Sequence, residues 1–328
     1  MNRTPRAPAG ELTTTGFGAE PLEKVHRLLA LLDALGSHPF LKTRLALKGG
    51  TALHLFHFDV PRLSVDIDLN YLGATDPETM LAERPKVEQA VQAVCSREGL
   101  AVRHVPTGHA GGKWRLGYLG SKGAAGNLEL DINFLLRTPL WPCVVLECRA
   151  VGPVRAAPVR VLDLHELAAG KLAALLDRSA SRDVFDARAL LAAPGLDRGK
   201  LRVGFVVYGG ISRRDWRTVS PKDVNLEPTE VERELVPMLR AEHAPARGEV
   251  AGWTRKLVAE CRKRLSLVLP LRRAEREFLR RLNEEGDIVP ELISADAGMQ
   301  ATLRGHPGLR WKALNVRRHR GVGEANEE

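Results

Sequence analysis

The alternation of apolar and polar positions divides the chain into an alternating first half and a helical second half. Leu22, Val25, Leu28, Leu29 and Leu32 recur at helical spacing, which predicts a helix over 22–35. Arg44–Leu47 reads as a short strand. Gly49 and Gly50 break it, and Thr51 stands where it can cap a helix over Ala52–Phe58 that Pro61 ends. Ser64–Asn70 alternates cleanly and predicts a strand, and Glu83–Glu98 reads as an amphipathic helix. Strands are expected at Ala101–Val105, Lys113–Leu119, Leu128–Leu136, Val144–Cys148 and Val159–Leu162, separated by glycine-rich turns.

Beyond Leu162 the period changes. Asp163 and Glu166 have the spacing of a capping box, and a helix follows to about Asp177. Ser181 can cap a second helix to Leu191. Helical patterns recur over Glu230–Glu242, Val250–Leu269, Arg272–Glu285 and Met299–Leu303. Leu201–Ile211 reads both ways, as strand by its β-branched residues and as helix by its neighbours. The expected organisation is a tail over 1–20, an α/β domain over 21–160 and a mainly helical domain over 161–320.

The candidate chemistry lies in the first half. Residues i and i+2 of a strand share a face, so Asp66 and Asp68 point together while Val65, Ile67 and Leu69 point into a core. Leu128–Phe134 repeats the pattern and places Glu129, Asp131 and Asn133 on its polar face. If the two strands are neighbours, Asp66, Asp68 and Asp131 form a three-carboxylate set suited to a two-metal site for phosphoryl transfer. A single DxD on an exposed strand face is more often ordinary surface. The turn that precedes it shifts the balance. Gly49-Gly50-Thr51 can turn backbone N–H groups toward a phosphate, with the Thr51 hydroxyl as a further donor and Lys48 and Arg62 as possible added charge. In the helix after Asp163, Lys171 falls on the stripe of Leu164, Leu167 and Leu175, and a lysine on an inward face requires an anion. Asp183 is one such partner, and Arg182 and Asp186 stand i,i+4.

Composition adds less. A net charge of +9 and a pI near 9.6 favour a polyanionic partner. The cations are dense over Arg255–Arg281, where Glu275 and Glu277 interrupt them, and Trp253 and Trp311 are candidate stacking residues or core residues. No apolar run reaches membrane-span length and no signal-peptide core precedes the first helix, which points to the cytoplasm. Cys95, Cys143, Cys148 and Cys261 lack zinc spacing and read as free thiols.

KGGTAL at Lys48–Leu53, RLSVDIDL at Arg62–Leu69, LELDINF at Leu128–Phe134, the segment Glu166–Leu191 and WKALN at Trp311–Asn315 together resemble the AbiEii/AbiGii toxin family, over about Leu22 to Arg318. The resemblance implies an α+β fold: a polymerase β-like nucleotidyltransferase domain with a mixed sheet, then a helical domain that completes the site and binds the acceptor. It implies that Gly50 and Thr51 bind nucleotide phosphates, that Asp66 and Asp68 bind metal, and that Lys171 contacts the triphosphate. Arg182, Asp183 and Asp186 fall in a later motif where one aspartate is needed. The implied activity is magnesium-dependent transfer of NMP from NTP to the 3′ end of RNA, with tRNA in view, by a type IV toxin that has a cognate antitoxin. Nucleotidylation of a protein or small-molecule hydroxyl is an alternative, and so is a non-catalytic nucleic-acid-binding module.

Overall fold

The computed structural model describes residues 15–108, 110–120 and 123–320. The expected N-terminal tail lies outside the described residues as far as residue 14. Phe17 is already buried, and helix α1 (Ala19–Ser37) follows. The chain divides into two compact units. The first comprises Met1–Arg137, Cys143–Leu162 and Pro228–Ala251, and the second comprises Thr138–Pro142, Asp163–Glu227 and Gly252–Glu328.

The first unit is built on a seven-stranded mixed sheet: β1 (Leu45–Lys48), β2 (Asp66–Tyr71), β3 (Ala101–His104), β4 (Gly111–Leu119), β5 (Ala125–Asn133), β6 (Val144–Leu146) and β7 (Val159–Val161). The order across it is β3-β4-β5-β2-β1-β7-β6. The β2–β5 and β1–β7 pairs are parallel, and the others are antiparallel. Alternation decides what each face carries. Ile67, Leu69, Leu130, Ile132, Trp114 and Leu116 are buried, while the residues between them on β2, β5 and β4 are polar or charged. Helices α1 and α3 (Pro77–Arg97) pack against each other. α1 buries Val25, Leu28, Leu29, Leu31, Leu32 and Leu35, each contributing roughly 1.5–3 kcal/mol. α3 begins before the expected Glu83, because Asp76 caps it, accepting from the Thr79 N–H at 2.7 Å, and Pro77 takes its first position.

Several expectations are corrected. The helical segment after β1 starts at Gly49, as α2 (Gly49–Ala52) running into a π-helical turn, Leu53–His57; its cap is Lys48, not Thr51. Glu230–Glu242 is no continuous helix. It is broken into α7 (Pro228–Glu230), a π-turn at Val231–Leu235 and 3₁₀ turns at Val236–Met238 and Ala241–His243. Pro237 withholds an N–H there, and the segment bonds instead to the chain before β2, with Leu63 N–H donating to Met238 and Arg240 N–H to Pro61.

The second unit is helical: α4 (Leu164–Arg178), α5 (Ser181–Leu190), α6 (Arg198–Ile211), α8 (Val250–Arg264, from Gly252 onward), α9 (Arg273–Arg280), α10 (Ala297–Gly305) and α11 (Pro307–His319). The ambiguous stretch is helix α6, capped by Asp197 and buried around much of its circumference. Trp216 packs so closely on Gly209 that a Cβ there would sit 2.1 Å from the indole. Arg202 and Glu275, both buried, tie α6 to α9 at 2.5–2.7 Å. Ser181 is the first residue of α5 and Ala180 its cap, so the expected Ser181 cap is not used. The four cysteines are free thiols; burial pushes those of Cys95 and Cys261 up to about 12.

Glu166 does not close a capping box. Asp163 caps α4 through the His165 N–H, while the buried Glu166 carboxyl accepts from Leu140 N–H at 2.9 Å and the Tyr208 hydroxyl at 3.2 Å. Burial pushes its pKa up to about 7, although these hydrogen bonds pull the other way. A carboxyl raised in the folded state binds a proton that the unfolded chain releases earlier. Its contribution to stability is therefore full below the unfolded value and is lost as pH rises through about 7. Thermal unfolding from pH 4 to pH 8 is expected to show this decline, and Glu166→Gln to flatten it.

Candidate active site

The parallel β2–β5 ladder sets Asp66 opposite Glu129 and Asp68 opposite Asp131. Paired residues of neighbouring strands share a face and lie about 4.8 Å apart, so four carboxylates form one patch. Antiparallel pairing adds cations on both flanks: Lys48 opposite Asp68 on β1, and Lys113 opposite Asp131 and Arg115 opposite Glu129 on β4. Lys113 Nζ lies 2.6 Å from Glu129 Oε2 and also feels Asp66 and Asp68. The ion pair with Lys113 holds Glu129 below the usual carboxylate range, and Glu129 in turn raises the lysine.

The diglycine bend is pressed onto this patch. Gly49 has φ +72°, in the left-handed region that glycine enters without strain. A Cβ there would come 2.1 Å from Asp68 Oδ2. At Gly50 it would meet Ser64 Oγ at 2.8 Å and Arg62 Nη2 at 3.0 Å. The absence of side chains thus lets the first turn of the helical segment lie directly against the carboxylates. Arg62 is buried, with Nη1 donating to Leu63 O at 2.7 Å, and is not a surface residue.

Two expectations change here. The fully buried Thr51 hydroxyl donates to the Asp66 carbonyl at 2.5 Å, so it clamps the bend to β2 instead of standing open to a phosphate. Asp131 is registered beside Asp68 as expected, yet among the described residues no three His, Cys, Asp or Glu side chains are gathered closely enough to hold a metal ion. Adjacent carboxylates repel, and Lys113 draws Glu129 to itself. Asp66 and Asp68 remain a hard-oxygen pair of the kind Mg²⁺ takes together with substrate phosphates, so the donor chemistry fits that ion.

Ser64 and Lys113 escaped the sequence reading. Ser64 was legible as the residue two before Asp66 on the same face; Lys113 became visible only with the β4–β5 register.

In the second unit, Lys171, Asp183 and Asp186 come together. Lys171 Nζ lies 3.0 Å from Asp183 Oδ1 and 2.9 Å from Asp186 Oδ2, and all three side chains are buried or nearly so. Arg178 Nε is 2.7 Å from Asp183 Oδ2. Burial alone would raise Asp183, but Lys171 and Arg178 outweigh it and hold its carboxyl below the usual range. The expected Lys171–Asp183 pair is present. Arg182 is half-buried in the first turn of α5.

The first unit thus presents a mixed sheet with a DxD strand beside a glycine bend. The model of the nucleotidyl transferase AbiEii toxin family, of type IV toxin–antitoxin systems, matches residues 30–255. The chain belongs to that family. In fold it is similar to MenT4, a nucleotidyltransferase toxin from Mycobacterium tuberculosis H37Rv, with a TM-score of 0.53 and 17% identity over 89% of this chain and 94% of that one. No curated protein matches it in sequence. Among the described residues no helix is long and apolar enough to cross a membrane.

Gly49→Ala forces a Cβ into the Asp68 carboxylate at a left-handed backbone position. A stability cost of about 1–2 kcal/mol is expected in denaturant titration, with a loss of nucleotidyl transfer on the order of 100-fold, because the carboxylate is displaced. Lys171→Met removes the cation that two buried carboxylates share, and urea unfolding should show a loss of about 3–5 kcal/mol.

Proposed function

We propose that the chain transfers a nucleotidyl group from a nucleoside triphosphate to the 3′-hydroxyl of an RNA, with tRNA as the acceptor, in the cytoplasm. The single observation that carries this is the placement of Asp66 and Asp68 on the polar face of β2, beside Gly49 and in register with Asp131. Family membership supports the reaction class and an antitoxin partner.

Asp66 and Asp68 would hold a Mg²⁺ ion, and Asp131 would serve a second one. A bound ion of this kind supplies Lewis-acid stabilisation of charge on the phosphates. The N–H groups of Gly49 and Gly50 orient the triphosphate, with the charges of Lys48 and Arg62 close by. Thr51 keeps the bend in place against β2. The 3′-hydroxyl oxygen attacks the α-phosphorus, the bond to the β-phosphate oxygen breaks, and pyrophosphate leaves. The hydroxyl proton passes to a carboxylate of the acidic face. The family resemblance assigns Lys171 to the triphosphate, Arg182 to nucleotide binding, and Asp186, or in its place Asp183, to acting as base or positioning residue. Blocked 3′ ends would prevent aminoacylation and so halt translation, which is how such a toxin would arrest a phage-infected cell.

The test is incubation of the protein with each α-labelled NTP, total RNA and Mg²⁺. Label is expected in RNA with at least one nucleotide, at the 3′ end, and is expected to vanish with Asp66→Ala, with Asp68→Ala and with EDTA. Label that never enters RNA, or that survives both substitutions, contradicts the proposal. Label in protein that resists RNase would move the acceptor to a protein hydroxyl.

A further inference from the structure

The second unit carries a cleft of about 300 Å³, bounded by Ile211, Arg213, Trp311, Lys312, Asn315 and Arg320. Its wall is helix α11, which bears Arg310, Lys312, Arg317, Arg318 and His319 and no Asp or Glu. Trp311 is 41% exposed there, and Leu314 beside it 46%. Residues 311, 314, 315 and 318 fall at i, i+3, i+4 and i+7, so an indole, an aliphatic group, an amide and a guanidinium line one exposed stripe.

The charges of this cleft are not arranged as ordinary helix salt bridges. Its one carboxylate, Glu284, is engaged by Arg217, which holds it below the usual range. Lys312 Nζ donates to the Ser212 carbonyl at 2.8 Å, and burial pulls its pKa down despite Asp215 nearby. A partly buried ammonium of this kind gains from an approaching anion.

In the basic run Arg255–Arg281, to which composition points first, several cations are paired with carboxylates or tied to the chain, and the tryptophan just before it is stacked on another ring. Arg280 and Arg281 are bound to Glu277, Arg280 also to Glu285, and Arg262 to Val224 O and Asn225. Trp253 lies stacked with Phe185 at 6.4 Å. An exposed aromatic, a positive cleft wall and room for roughly one nucleotide are the components of a single-strand binding platform, in which a base stacks and cations follow the backbone.

We infer that the α11 cleft binds a single-stranded segment of RNA, with one base stacked on Trp311 and adjacent phosphates on Arg213, Lys312 and Arg320. The inference rests on the reading above only for the identity of the strand as the acceptor. Binding itself needs neither metal nor triphosphate.

The test is fluorescence anisotropy of a labelled 12-nucleotide single-stranded RNA with the full chain in EDTA. Trp311→Ala is expected to weaken binding roughly 10-fold and Trp311→Phe to restore most of it, since stacking needs a ring. Arg213→Ala should lower the slope of log K against log salt by about 0.7, one phosphate contact's share. Asp66→Ala should bind as wild type does. The inference is overturned if wild type does not bind, if Trp311→Ala binds unchanged, or if duplex RNA or polyglutamate competes as well as the single strand. Label transfer to RNA with unchanged Trp311→Ala binding would sink this surface and leave the proposed reaction standing. Trp311-dependent binding without label transfer would do the reverse.

Discussion

The parallel hydrogen-bonding of β2 to β5 is the constraint on which the first unit's candidate chemistry depends. It fixes Asp66 against Glu129 and Asp68 against Asp131. A one-residue slip would send these carboxylates into the core and bring Ile67 and Leu130 to the polar face. The apolar alternates, buried on the opposite side, make that slip costly, so the packing of the core and the position of the charges are one decision. The charged face is unfavourable in isolation, and the fold answers with cations on both neighbouring strands, Lys48 on β1 and Lys113 and Arg115 on β4. The bend at Gly49 is fitted to the same face closely enough that no side chain is tolerated against Asp68.

The second unit handles charge differently. Lys171, Asp183 and Asp186 form a buried cluster, and the exposed Arg178 reaches Asp183 from the surface. Arg202 and Glu275 form another buried pair. Such groups are tolerated inside only because each has its partner, and removal of one leaves the other uncompensated. The surface of α11 follows no such rule. It concentrates positive charge around an exposed indole, while in the basic run between Arg255 and Arg281 the cations Arg262, Arg276, Arg280 and Arg281 are held by intramolecular contacts.

Much of this was legible in the sequence because a strand reports its faces through alternation. RLSVDIDL and LELDINF each announce a half-buried strand, and the two carboxylate rows follow from that alone. Strand neighbourhood was not legible, since pairing of β2 with β5 and of β5 with β4 joins residues far apart in the chain; Lys113 was therefore missed. Local capping rules misled at Thr51, Ser181 and Glu166, whose side chains are spent on tertiary partners or buried instead of closing helix ends. The segment Glu230–Glu242 looked helical by period, but Pro237 interrupts it and Met238 and Arg240 bond instead to Leu63 and Pro61. Helix α11 carried too few apolar positions for its period to stand out, so a motif at Trp311–Asn315 was visible before the helix that bears it.

The proposed centre can be tested without any acceptor. Mn²⁺ can stand in for Mg²⁺ and report its own coordination by electron paramagnetic resonance, in the presence of a non-hydrolysable nucleoside triphosphate. The full chain is expected to bind Mn²⁺ more tightly with the nucleotide than without it, and Asp66→Asn or Asp68→Asn to remove this gain while leaving the fold's circular dichroism unchanged. Mn²⁺ and nucleotide bound equally well by both variants would place the metal elsewhere and contradict the account.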